Sequence, residues 1–115
     1  MGPYIVVRGG GGGNGAQVYR ALDGPIERLR GLLGTGPDAH QVALLDCRSV
    51  HTFGMRYRLD IAFVDRGGLV LDSWRSVPPG RLLGNRRAWM TLERPHRRGP
   101  WFARGERIEV ERKRG

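Results

Sequence analysis

The sequence predicts a small α+β domain: a β-rich fold, arranged as a partly closed β-barrel with one N-terminal helix. Three observations predict this class. The chain has 115 residues, enough for one hydrophobic core and too few for two. Short apolar segments, one of them strictly alternating, are separated by glycine and proline, as strands are. One early segment instead carries apolar residues at helical spacing, so a helix is expected beside the strands.

The first residues are predicted to form an arm that leads into the domain. A strand is expected at residues 4–7, followed by a run of glycines at residues 9–13. Glycine loses the most backbone entropy when it is ordered. We therefore expect residues 1–16 to form a flexible, glycine-rich arm with this short strand. Residues 17–115 are expected to form a single β-rich domain that begins with a strand at 17–22.

Residues 25–33 are predicted to form the helix. Pro25 suits the first helical position, where the missing amide hydrogen is not needed. Asp23 and Gly24 before it offer a cap, and Gly34 after it ends the helix. One face of the segment is apolar and is formed by Ile26, Leu29, Leu32 and Leu33. This is the only segment of the chain that favours a helix.

Further strands are predicted at residues 42–45, 57–64, 69–74, 87–92 and 107–110. The segment 57–64 alternates strictly, which indicates a strand with one face toward the core. Its inward residues are expected to be Tyr57, Leu59, Ile61 and Phe63. Residues 65–68 are predicted to form a hairpin turn, and the Pro78-Pro79-Gly80 sequence ends the strand that follows.

Composition excludes several classes of protein. The single cysteine excludes an internal disulfide and a site with several thiolate ligands. No apolar run approaches the roughly 20 residues of a membrane span, and no signal peptide is recognisable. We therefore expect a cytoplasmic protein with no membrane contact and no cofactor.

Residues 47–68 contain several different functional groups within a short stretch of sequence. It places a thiol, an imidazole and a thioether at four-residue intervals, at Cys47, His51 and Met55, and then enters the alternating strand with Asp60. This segment resembles a bacterial and archaeal family of unknown function, the family numbered 192. The matching signature is a cysteine, then His-Thr-Phe-Gly-Met, an aromatic residue and Leu-Asp before an apolar strand. The resemblance extends over about residues 17–112. It implies a fold and a site at this segment, but no established reaction.

Three kinds of chemistry are open to this segment. Sulfur and imidazole ligands suit copper, but a cupredoxin-like site needs a second, distant histidine, and His40 is too close to Cys47. Cys47 activated by His51 would make a small thiol enzyme if the two side chains were in contact. A binding cleft requires only hydrogen-bonding groups in an apolar wall. We favour the cleft, with no catalytic residue and no metal ligand. Its expected ligand-binding residues are Cys47, His51, Thr52, Phe53, Met55 and Asp60.

Asp60 admits two interpretations. It lies on the face of its strand opposite the apolar one, so an ion pair with Arg58 or another arginine would explain it. Alternatively, it joins His51 and Thr52 in binding a polar ligand. On that second interpretation His51 and Asp60 lie together beside one concave surface, with Met55 or Phe53 as its apolar wall.

The positive charge is concentrated in the second half of the chain. Residues 1–72 have a net charge of +1, and residues 73–115 have a net charge of +8. Such a surface attracts polyanions. The expected contact residues are Arg86, Arg87, Arg94, Arg97 and Arg98. Trp101 and Phe102 are the aromatic residues expected to lie at the surface beside them and stack on bases.

These observations favour a non-catalytic module that binds a small polar ligand or a protein partner through residues 47–60. Weak, non-specific binding of nucleic acid through the arginine-rich half is the first alternative. A small enzyme or copper protein built on Cys47 and His51 is the second.

Overall fold

The computed structural model describes residues 2–9, 15–24 and 31–114. Nine strands lie in these ranges, numbered here in chain order. They are β1 (Tyr4–Arg8), β2 (Ala16–Leu22), β3 (Val42–Leu45), β4 (Ser49–His51), β5 (Leu59–Val64), β6 (Val70–Val77), β7 (Leu82–Gly84), β8 (Met90–Pro95) and β9 (Glu109–Lys113).

Seven strands form one sheet in the order β6-β5-β8-β3-β2-β1-β9. Neighbours run antiparallel, except that β2 and β3 are parallel. The other two strands, β4 and β7, pair with each other in a second, antiparallel sheet, with His51 opposite Leu82. Among the described residues no helix is long and apolar enough to cross a membrane.

The predicted fold class, an α+β fold with a partly closed β-barrel, is wrong for the part of the chain that the structure describes. Every element there is a strand, and the large sheet is open, with β6 and β9 as its edges. The segments just before these two strands approach each other at one isolated bridge, Leu69 opposite Arg107. Closing a barrel requires the first and last strands to pair along a ladder. One bridge leaves the sheet open.

The predicted helix and the predicted glycine-rich arm fall partly outside the described residues. Of the helix at 25–33, residues 25–30 lie outside. Residues 31–34 form turns in which Gly31 and Gly34 have φ of 50° and 82°, a backbone conformation that a right-handed helix does not use. Of the arm, residue 1 and residues 10–14 lie outside. The arm's strand is β1, which is paired on both sides, with β2 and with β9.

Buried apolar side chains form two clusters. The first includes Ile5, Tyr19, Ala62, Val64, Leu92 and Trp101. The second includes Leu32, Leu44, Met55, Leu59, Ile61 and Phe63. Successive residues of β5 contribute to different clusters because side chains on a strand point alternately to its two faces. The inward face predicted for this strand is confirmed at Leu59, Ile61 and Phe63, and the opposite face is buried as well.

Candidate functional site

A cavity of about 150 Å³ lies beside the second cluster. Strands β3, β5 and β8 of the large sheet supply part of its lining. Strands β4 and β7, the segment that follows β4 and the segment that precedes β3 supply the rest. The lining residues are Gly31, Leu32, Leu33, Leu44, Ser49, Val50, His51, Phe53, Met55, Leu59, Leu82 and Glu93. The structure therefore brings together three of the predicted ligand-binding residues, His51, Phe53 and Met55. Cys47, Thr52 and Asp60 are not part of this lining.

Thr52 positions the segment that carries these three residues. Its side chain is fully buried, and its hydroxyl donates to the carbonyl of Pro78 at 2.8 Å and accepts from the amide of Arg81 at 2.8 Å. Its own amide donates to the Arg81 carbonyl at 2.8 Å. Thr52 thus ties the end of β4 to the connection between β6 and β7, and it fixes the loop without facing the cavity.

His51 and Phe53 lie next to each other at the cavity. Their rings stack with centroids 5.6 Å apart and planes inclined by 25°. The Nδ1 atom of His51 is buried, and it has no hydrogen-bond partner among the described residues. Phe53 is 54% exposed and Leu82 is 71% exposed, which places both at the mouth of the cavity.

Glu93 is the polar residue of this cavity that sequence reasoning missed. It lies on β8 and is only 3% exposed. Burial raises the pKa of its carboxyl from 4.5 to about 7. No charged or hydrogen-bonding neighbour among the described residues offsets that shift. The sequence offered one usable indication, an acid directly after the apolar residues of a predicted strand, but that strand was predicted to end at Leu92.

Asp60 lies on the other face of the sheet. Its neighbour Leu59 lines the cavity, so alternation along β5 directs Asp60 to the opposite side. There the carboxylate accepts from Arg94 Nε at 2.8 Å and from the amide of Ser76 at 2.9 Å, and it lies 2.8 Å from His96 Nδ1. The ion pair with an arginine, one of the two interpretations of the sequence, is therefore present, and Arg94 is the partner.

These contacts control the ionisation of Asp60. Burial alone would raise the pKa of this carboxyl, but the hydrogen bonds from His96, the Ser76 amide and Arg94 outweigh burial and hold the pKa below its usual value. Ser76 has a positive φ of 56° and lies where the register between β5 and β6 shifts. Asp60 therefore stabilises an irregular strand pairing.

Cys47 lies outside the cavity and packs against the second cluster. Its thiol donates to the carbonyl of Ser49 at 3.2 Å. Among the described residues no group of three or more His, Cys, Asp or Glu side chains is arranged to hold a metal ion.

The arginines predicted to contact polyanions separate into two kinds. Arg86, Arg87, Arg97 and Arg98 are exposed. Arg94 is 4% exposed, paired with Asp60, with its guanidinium 4.6 Å from the centre of the Trp101 ring. Trp101 and Phe102 are buried in the first cluster, so their predicted surface role is wrong. Both side chains pack with the buried apolar residues of that cluster, and the Arg94 guanidinium lies over the Trp101 ring instead of facing solvent.

The fold is that of a β-sheet protein, and its cavity is small and lined mostly by apolar residues. Neither a family model nor a curated protein matches the sequence, so the resemblance to the family numbered 192 stays a prediction. Solved structures with a similar fold include a protein of unknown function from Novosphingobium aromaticivorans DSM 12444. It is 19% identical, with a TM-score of 0.65 over 92% of this chain and 83% of that one. Another is a candidate transcription regulator from Sinorhizobium meliloti 1021. It is 17% identical, with a TM-score of 0.69 over 96% of this chain and 94% of that one. At these identities the similarity shows the fold alone.

Proposed function

We propose that this protein is a non-catalytic binding module that holds a small molecule in the cavity lined by His51, Phe53 and Met55. The observation that carries the proposal is the unpaired state of two polar groups there. The buried Nδ1 of His51 has no hydrogen-bond partner among the described residues. The carboxyl of Glu93 is 3% exposed, and no charged or hydrogen-bonding group among those residues offsets its burial. Buried polar groups are normally paired, and a ligand that pairs with them recovers that cost.

The distribution of exposed apolar side chains supports the same site. Three large apolar residues are exposed in the part of the chain that the structure describes, namely Val18, Phe53 and Leu82. Two of them, Phe53 and Leu82, line the cavity. An apolar wall with a few polar groups is typical of small-molecule sites. The sequence also allows a partner's loop as the occupant, but a cavity of about 150 Å³ favours a small molecule.

A fragment screen by two-dimensional NMR on the full chain tests this proposal. We expect benzene-sized fragments to shift the amide signals of His51, Phe53, Met55 and Glu93. The Phe53→Ser variant should weaken those shifts. Val18→Ser is the matched control, because Val18 is exposed to the same 54% but lies away from this cavity. Fragments that leave these amides unmoved, or that respond equally to both variants, would defeat the proposal.

A second candidate function is weak binding of polyanions. It is favoured by the exposure of four of the five arginines predicted to contact polyanions, namely Arg86, Arg87, Arg97 and Arg98. The Sinorhizobium protein of similar fold is described as a candidate transcription regulator, which makes nucleic acid the polyanion to test. The charge alone supplies attraction without sequence preference.

A further inference from the structure

The charged and titratable groups of the cavity differ from those of the chain as a whole. The chain has 20 Lys and Arg residues against 11 Asp and Glu. Among the described residues that line the cavity, none is Lys or Arg, and one is acidic, Glu93. The other titratable residue of this lining is His51. A chain with an excess of basic residues therefore contains a cavity whose described lining has no Lys or Arg and carries the Glu93 carboxyl.

The Glu93 carboxylate has no partner among the described residues. In register with it on the neighbouring strands are Val42 of β3 and Ile61 of β5, which are both apolar. A Cβ on Gly31 would lie 3.2 Å from Glu93 Oε1, so the lack of a side chain at Gly31 leaves room beside the carboxyl. The Glu93 side chain also lines the cavity.

We infer that the occupant of this cavity is a small organic ammonium ion with an apolar body, whose charged head is held by the Glu93 carboxylate. This inference rests on the proposed function, since it names the ligand class of the same site. A charge-assisted hydrogen bond to the ammonium head pairs the buried carboxylate. The cavity has the volume that accommodates a benzene-sized body.

The other groups of the cavity suit the same ligand. The ring of Phe53 lies at the mouth, and aromatic faces attract ammonium ions. Nδ1 of His51 accepts a hydrogen bond in the tautomer that carries its proton on Nε2. An anionic ligand would face Glu93 with no Lys or Arg in the described lining. A neutral ligand would leave an ionised Glu93 without a counter-charge.

Titration calorimetry with three matched probes, backed by NMR of the cavity amides, tests the inference on the full chain. The probes are benzylammonium, benzyl alcohol and benzoate, which share one body and differ in the charge of the head. At pH 8 the amine is still protonated, since alkylamines titrate near 10, and Glu93 is ionised. We expect benzylammonium to bind more tightly than the other two probes.

Two variants test whether Glu93 is the residue that makes benzylammonium bind more tightly. Glu93→Gln keeps the shape of the side chain and should weaken benzylammonium binding by about 10- to 100-fold, as expected for a hydrogen bond between charged groups. Its affinity for benzyl alcohol should stay close to that of the wild type. Glu111→Gln removes the same charge from exposed β9 and should leave the amine affinity unchanged. In the wild type, amine affinity should rise from pH 6 to pH 8 as Glu93 ionises, and this rise should be smaller in Glu93→Gln.

The outcomes separate the inference from the proposed function. If benzyl alcohol or benzoate shifts the cavity amides and benzylammonium does not, the ligand class is wrong and the binding site stands. An equal loss of amine affinity in Glu93→Gln and Glu111→Gln also overturns the ligand class, because the attraction would then come from overall charge. If none of the three probes shifts these amides, the inference and the proposed function both fail.

Discussion

Glu93 and Asp60 lie on the paired strands β8 and β5, and both are buried, yet their pKa values are shifted in opposite directions. Burial raises the pKa of both carboxyls. The difference lies in their partners. Asp60 has a guanidinium, an imidazole and a backbone amide within 2.9 Å, whereas the pKa of Glu93 reflects burial alone. One carboxylate therefore stabilises the fold when it is ionised, and the other destabilises it.

The pH dependence of stability follows from the raised pKa of Glu93. Its stabilising contribution is fully present below pH 4.5, where both states are protonated, and it is lost as the pH rises to about 7. Glu93→Gln cannot ionise and should not show this loss. Relative to the wild type, the variant should therefore gain roughly 3 kcal/mol of unfolding free energy between pH 4.5 and pH 8. Urea denaturation at the two pH values measures the gain.

Glu109→Gln is the control for that experiment, because Glu109 is an exposed acid on β9. This variant should follow the wild-type curve at both pH values. If the curves of Glu93→Gln and wild type also run parallel, Glu93 is not held unpaired in the fold, and the inferred ammonium site loses its basis.

At the residue scale, the sequence pointed to the site but not to its acid. The motif around His51, Phe53 and Met55 predicted a cleft, because it combines hydrogen-bonding and apolar groups within a short segment. Glu93 was missed because an acid at the end of a predicted strand is normally solvated. Glu93 is buried because other parts of the chain cover both faces of β8. The sequence of the strand itself does not indicate that packing. The partner of Asp60 is 34 residues away along the chain, so composition could only suggest an arginine.

At the scale of elements, strands whose apolar segments have four or more residues were predictable, and shorter strands were not. The strands expected at residues 4–7, 17–22 and 42–45 are confirmed as β1, β2 and β3. The hairpin turn at 65–68 is confirmed by the hydrogen bond from the Asp65 amide to the Leu69 carbonyl. Strands β4 and β7 have three residues each, too few for a period of two to be recognised. These two short strands build one side of the cavity.

Gly68 lies in that hairpin and allows it to approach the segment before β9 closely. Its φ is 88°, and a Cβ there would lie 2.1 Å from the carbonyl oxygen of Ile108. The Ile108 amide donates to the Gly68 carbonyl at 2.8 Å. Gly68→Ala should therefore lower the unfolding free energy by roughly 3 kcal/mol or more, from backbone strain and a displaced edge.

Gly105→Ala is the control that measures the cost of backbone strain without a steric contact. Gly105 has φ of 91°, but a Cβ at this position would meet no described atom within 4 Å. Its substitution should lower the unfolding free energy by about 1–2 kcal/mol in the same urea titration. Equal losses at Gly68 and Gly105 would mean that the contact with Ile108 adds nothing.

At the scale of the whole molecule, the arginines that contribute to the charge of +9 do not all lie at the surface. Arg94 belongs to the interior with Asp60 and Trp101. The pair Arg86 and Arg87 precedes β8, and the pair Arg97 and Arg98 follows it. A strand of this length separates its two ends by roughly 17–20 Å, which is more than the Debye length of about 8 Å at physiological salt. The two exposed pairs therefore act independently on a polyanion.

Binding to nucleic acid should accordingly be weak, independent of base sequence and steeply dependent on salt. We expect the affinity for a DNA duplex to fall strongly between about 50 and 200 mM salt, because binding releases counterions. Replacing Arg97 and Arg98 together by alanine should lower the affinity and flatten the salt dependence, and replacing Arg86 and Arg87 should do the same.

Lysine at 97 and 98 is the matched control, since it keeps both charges and should keep the affinity. Fluorescence anisotropy with duplexes of different sequence measures all four proteins. A dissociation constant below about 100 nM for one sequence at physiological salt would contradict charge-only binding, as would a loss with lysine equal to the loss with alanine.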